Sequence, residues 1–198
     1  MNTPLKYFII LFFLESVNAS AQNVDFNYIN SKSSGLIIGS SFIDEHLPEG
    51  FNYHPIKFIY NYSIPMLRYK MERKSNFFIQ FEPQFNPVII AHSKNAFEFG
   101  VNVGFLYHLK LSDQEIVFGG IGSGPHYISV TTTMQSKGFI FSDNFIIGYR
   151  RLINLKKPLE LNLQIRFRHI SNASLQQPNH GIDNFFILIG LSKVIAHI

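Results

Sequence analysis

The stretch Leu159–Ser171, LELNLQIRFRHIS, alternates apolar and polar residues almost without a break. Leu159, Leu161, Leu163, Ile165 and Phe167 share one side of an extended strand, and His169 and Ser171 continue that side. Glu160, Asn162, Gln164, Arg166 and Arg168 occupy the other. Side chains of a strand alternate with period two, so an apolar face with a polar reverse marks a strand that separates two media. A histidine and a serine on the apolar side are out of place there and need a reason.

The same alternation recurs along the chain. It predicts strands at Ser34–Phe42, Pro55–Ile64, Asn76–Gln84, Phe97–Leu109, Glu115–Ile128 and Gly138–Arg150, then the Leu159 strand, then Asp183–Val194. Phe97–Leu109 is the clearest, with Phe97, Phe99, Val101, Val103, Phe105 and Tyr107 against Glu98, Gly100, Asn102 and Gly104. Eight alternating segments with no helical periodicity, repeat or linker predict one all-β domain, an eight-stranded antiparallel barrel.

Residues 1–21 are set apart from that domain. Lys6 precedes the apolar run Tyr7–Leu14, and Ala19-Ser20-Ala21 supplies the small residues of a cleavage site. The expectation is a secretory signal peptide over 1–21 and a mature domain over 22–198. No apolar run has the ~18 to 20 residues of a spanning helix. An exported chain of this kind enters a membrane only as a closed barrel, which satisfies every backbone group internally.

Composition narrows the choice. The chain has no cysteine, which excludes a disulfide scaffold, a thiol nucleophile and a lipid-modified cysteine anchor. A net charge of +4 suits an anionic lipid surface and equally suits ordinary solubilising loops. The 21 Phe and 9 Tyr are sharper, because such an excess fits a lipid-facing surface with aromatic girdles. A soluble lipocalin-like barrel would show the same alternation turned inside out. Glu82, Glu98 and Glu160 balance Lys57, Arg166 and Arg168 on the polar faces, a set small enough to fill an eight-stranded lumen, so the aromatics are placed outside. If the first strand runs outward, the outer loops are about 43–54, 85–96, 129–137 and 172–182, and the turns near Lys110–Gln114 and Ile153–Pro158 lie inside. The 65–75 connection is long for an inner turn. The seventh strand then ends at the exterior rim.

Asp183 has the parity of Phe185, Ile187, Ile189 and Leu191. If the last two strands close as a hairpin over Asn172–Ile182, Ser171 falls nearly opposite Asp183, with His169 beside it. Nucleophile, base and orienting carboxylate then lie within mutual reach. Ser, His and Asp are also what strand ends carry where headgroups and water begin, since polar groups there cost little. Spacing alone leaves both readings open.

The segment Arg168–Asp183, RHISNASLQQPNHGID, resembles the lipid A 3-O-deacylase (PagL) family. His169, Ser171, Asn172 and Ala173 are similar to its His-x-Ser-Asn-Ala core, and Gln177-Pro178-Asn179 and Gly181 to the loop that follows. Gly122–Pro125, and Gly138 with Phe139, Phe141 and Ser142, resemble its middle strands more loosely. The resemblance implies an outer-membrane esterase removing the ester-linked 3-hydroxyacyl chain at position 3 of lipid A. Ser171 would be its nucleophile, His169 its general base and acid, and Asp183 the carboxylate orienting His169. Asn172 would help bind the oxyanion through its amide or the local backbone. The best-known members carry Glu where this chain has Asp183, one methylene shorter. The implied partner is lipopolysaccharide of the outer leaflet.

Competing expectations come from other classes. One is a non-catalytic barrel of the OmpA or OmpX type, and another is a phospholipase using the same three residues. Gly119-Gly120-Ile121-Gly122-Ser123-Gly124 has the glycine content of a phosphate loop, but no helix pattern follows it, so barrel packing is preferred. His46, His54, His92, His108, His126, His180 and His197 show no ligand spacing, so neither metal nor cofactor is expected. Nor is a nucleic-acid partner, and oligomeric state is open. Asn172-Ala173-Ser174 fits a glycosylation acceptor, a reading set aside because the family resemblance is bacterial.

Overall fold

The computed structural model describes residues 28, 31–48, 50, 52–66, 76–90 and 96–195. The expected signal peptide lies outside them. The alternating segments become nine strands: β1 (Lys32–Asp44), β2 (Tyr53–Pro65), β3 (Phe77–Ile90), β4 (Ala96–Ser112), β5 (Glu115–Ser123), β6 (Pro125–Ile128), β7 (Gly138–Asn154), β8 (Leu159–Ser171) and β9 (Ile182–Ile195). Each pairs antiparallel with its neighbours, and β1 pairs with β9, which closes the sheet on itself. A closed ring has no edge strand to leave backbone donors unpaired.

β5 and β6 are one stave, since both lie between β4 and β7. The ring therefore has eight staves, as the alternation predicts. The break falls at Gly124, where a Cβ would stand 1.9 Å from the Val101 carbonyl oxygen, so only glycine fits that close approach. Most strands run past their expected ends. β3 extends through Pro83 and Pro87 to Ile90, which removes much of the expected 85–96 loop. The prolines are accommodated because the β2–β3 register skips both, while the β3–β4 register runs through them unbroken.

The outward faces are apolar. Leu36, Phe58, Phe81, Phe99, Phe105, Phe145, Ile165 and Ile187 are all exposed. Phe97, Phe99 and Tyr127 form one aromatic patch, with ring centroids 5.3–6.5 Å apart. The inward faces carry the polar and charged residues, interleaved with two buried apolar clusters, Ile37, Ile59, Phe186 and Leu188 and then Phe78, Leu106, Phe118 and Ile146. Arg166 donates two hydrogen bonds to Glu82 (2.7 and 2.6 Å), and Arg168 donates to both oxygens of Glu98 (2.6 and 3.2 Å). The Tyr53 hydroxyl and Asn86 Nδ2 also donate to Glu98, and Lys57 donates to Gln84. Paired forks of this kind let charge lie in a sealed interior. Glu160 is buried too, facing Arg150 at 3.9 Å and accepting from Tyr28. Arg150 and Tyr28 are partners that the sequence reading did not name.

Apolar layers seal the two ends. Leu47, Tyr53, Val88, Ile90, Ala96, Ile128, Ile140, Ile170 and Ile182 close the end that carries connections 45–52, 129–137 and 172–181. Tyr28, Ile116, Leu152 and Val194 close the opposite end, where residues 113–114 and 155–158 make the turns.

Candidate active site

β8 carries His169 to the end with the long connections, on the outward side with Ile165 and Phe167. Its register with β9 puts Asp183 directly across, and the last pair of the ladder is Ile170 with Ile182. Parity and loop length predict Asp183 nearly opposite Ser171; the observed register differs by two residues and sets it opposite His169. His169 Nδ1 and Asp183 Oδ1 are 2.7 Å apart. An imidazole N–H donating to a carboxylate at that distance fixes the ring's orientation and tautomer, leaving Nε2 as the basic nitrogen. The two side chains remain 38% and 48% exposed, so the pair is open to the surroundings of the barrel.

Ser171 lies two residues on, on the same face, with its Cα about 6.6 Å from that of His169 at the usual rise of a strand. It is half-buried and pairs with Phe141 of β7, beyond the end of β9. Among the described residues its hydroxyl makes no hydrogen bond to His169. The structure therefore joins His169 and Asp183 and leaves Ser171 beside them, its hydroxyl uncommitted.

The loop after Ser171 is tightly tied. Asn172 donates its backbone N–H to Asn179 Oδ1 (2.7 Å) and its side-chain NH2 to Ser136 Oγ (2.8 Å) and the Gln176 carbonyl (2.7 Å). With those bonds in place the donors of Asn172 are engaged within the two loops. Its observed work is to bind the 172–181 loop to the 129–137 loop. Ser136 N–H to Pro178 O, His180 N–H to Met134 O and the Gln135–Asn179 bridge add to that bond. Ala173 (φ 51°) and Ser174 (φ 63°) are both left-handed, and Leu175 N–H closes on Asn172 O. Positive φ at two central residues is the type I′ pattern, unusual for residues with a Cβ. Gly181 (φ +84°) packs on the imidazole: a Cβ there would lie 2.3 Å from His169 Cε1 and 2.9 Å from Nε2.

Sequence reasoning missed one neighbour. Asp143 of β7 stands opposite His169 on the outward face and accepts a hydrogen bond from Ser123 Oγ (2.5 Å). Its signal was present as an acid interrupting the stripe Phe139, Phe141, Phe145 and Ile147. Ser123, Asp143, His169 and Asp183 thus form a polar band across four adjoining strands, above a surface that is otherwise apolar.

Comparison with known proteins gives a family-model match to lipid A 3-O-deacylase (PagL) over residues 56–192. Among solved structures, the outer membrane enzyme PagL aligns with TM-score 0.53 and 15% identity, over 80% of this chain and 97% of that one. Neisserial surface protein A (NspA) aligns with TM-score 0.57 and 10% identity, over 84% and 97%. Both share the barrel fold with this chain. No curated protein matches it by sequence.

Proposed function

Since this chain belongs to the lipid A 3-O-deacylase (PagL) family, we propose that it is a serine esterase of the cell outer membrane that removes the ester-linked 3-hydroxyacyl chain at position 3 of lipid A. In this reading residues 1–21 direct export and are removed, and residues 22–198 form the barrel. The observation that carries it is the 2.7 Å His169–Asp183 pair, turned outward two residues before an uncommitted serine. A hydrolase whose substrate is the surrounding lipopolysaccharide gains by facing lipid, and an ester near the headgroup boundary meets the band at the rim.

The chemistry follows from the groups present. Asp183 holds Nδ1–H, so Nε2 accepts the Ser171 proton as Oγ attacks the ester carbonyl. The protonated imidazole then gives that proton to the departing sugar oxygen. Water repeats the sequence and frees the 3-hydroxy acid. Because Asn172 is engaged in the loop, the backbone N–H groups of Ala173 and Ser174, in the left-handed turn beside the nucleophile, are the donors assigned to the oxyanion.

The test is the mass of lipid A from a host without other deacylases. Expression of the intact chain should remove one 3-hydroxyacyl group, and Ser171→Ala or His169→Asn should each lower the rate by about 10⁶-fold. Acyl loss persisting in both variants rules the site out. Offering glycerophospholipid beside lipopolysaccharide separates a phospholipase from a deacylase.

A further inference from the structure

A second outward-facing constellation lies on β1 and β2, across β9 from the first. His54 Nε2 is 2.8 Å from Ser40 Oγ, and His54 Nδ1 is 2.7 Å from Asp44 Oδ2 and 3.2 Å from Ser41 Oγ. Serine to imidazole to carboxylate, through opposite ring nitrogens, is the arrangement that activates a hydroxyl. Here all three members are hydrogen-bonded, whereas at the first site only base and acid are.

The sheet builds this geometry. Ser40 has the outward parity of Leu36 and Ile38, which are 65% and 45% exposed, and His54 that of Phe58 and Tyr60. A bulge then inserts Phe42, since the β1–β9 register passes from Ser41–Phe186 to Ile43–Phe185. Bulges re-aim the side chains beyond them. Asp44 consequently pairs with the inward Asn184, and its carboxylate reaches both sides of the wall. Oδ1 accepts from Asn184 Nδ2 (3.4 Å), Asn184 Oδ1 accepts from the buried Arg168 (2.8 Å), and Oδ2 meets His54. The acid is therefore anchored by the charge network of the lumen, and its side chain is 10% exposed against 32% for His54. The β1–β2 register ends at Ser40–Ile56 and Pro55 has no N–H, so β1 beyond Ser40 is released from that ladder beside the hydroxyl.

We propose that Ser40, His54 and Asp44 form a second nucleophilic site, which takes the acyl ester of a membrane lipid. His54 Nε2 accepts the Ser40 proton as Oγ bonds to the ester carbonyl carbon. The carbon to alkoxy-oxygen bond breaks, and the leaving alcohol takes the proton from His54. Water then attacks the acyl-serine, gives its proton to His54 and releases the fatty acid, with Ser40 recovering the proton. Both glycerophospholipid and lipopolysaccharide carry such esters.

The test uses the full chain folded in detergent micelles, with Ser171→Ala removing the first nucleophile. A long-chain alkyl fluorophosphonate is the probe, and the adduct is located by peptide mass spectrometry. The expected result is an adduct on Ser40, formed at least tenfold more slowly when His54→Gln is added, a change that keeps polar contacts and removes the base. Labelling of Ser171 in the unaltered chain is read from a parallel digest and reports on the first site separately. The Ser171→Ala chain is also placed in vesicles of phosphatidylethanolamine, or of lipopolysaccharide, and released fatty acid is measured. Release from either supports the proposal and identifies the ester. No adduct on Ser40, an adduct rate indifferent to His54→Gln, or release from neither vesicle overturns it.

Discussion

At the residue scale, the candidate site depends on where one imidazole points. Asp183 is half-exposed, so its hold on His169 is weaker than that of a buried acid. Asp183→Asn should lower deacylation by about 10²- to 10³-fold, less than the ~10⁴ found where the acid is buried, with substrate affinity nearly unchanged. A kcat and KM comparison on lipopolysaccharide checks this. Gly181 is the more specific probe. Its absent Cβ leaves room for the ring edge that bears Nε2, so Gly181→Ala places a methyl 2.3 Å from Cε1 and also strains a backbone at φ +84°. The ring must turn away from Ser171, and activity should fall by about 10²-fold, as for an angstrom-scale misplacement, while the barrel folds normally by circular dichroism.

At the element scale, the hairpin β8–β9 and the loop joining its strands do different work. The strands set His169 against Asp183 through register, which is rigid. The loop sets Ser171 and the turn behind it through side-chain hydrogen bonds, which are separable. Asn172→Ala removes the bond to Ser136 Oγ that joins the 172–181 loop to the 129–137 loop, and the bond to Gln176 O that braces the 172–181 loop internally. Losing two such bonds costs roughly 1–3 kcal/mol of local stability. The expected outcome is faster protease cleavage within 172–181, with kcat reduced and the strands still protected from hydrogen exchange. Unchanged cleavage would mean that the loop is held by its backbone bonds alone.

At the scale of the whole molecule, the lumen is a wall that the outward sites lean on. Arg168 holds Glu98 and also Asn184, through which it reaches Asp44. Glu98→Gln leaves the buried guanidinium without its counter-charge and should cost about 3–5 kcal/mol. Replacing Arg168 and Glu98 together by Met should cost much less, because no charge is stranded. Urea unfolding midpoints in lipid vesicles compare the two. Equal losses in both would show that packing, not charge pairing, dominates this layer.

Period-two alternation by itself determined the all-β class and the eight staves, because a strand separating two media must sort its side chains by parity; which face turns inward followed from the balanced charges and the aromatic excess. Alternation also put His169, Ser171 and Asp183 on one face. Register was beyond it: a shift of two residues leaves every parity unchanged, and only the paired strands set Asp183 across from His169. Asn172 showed the same limit, since which partner takes its donors depends on a loop 36 residues away, around Ser136. The cluster of Ser40, Asp44 and His54 was illegible for a further reason, because an inserted Phe42 breaks the very alternation by which a strand is read. Side-chain sorting is a local consequence of solvent, whereas register, bulges and loop contacts arise only when distant strands meet, and there the tertiary structure decided.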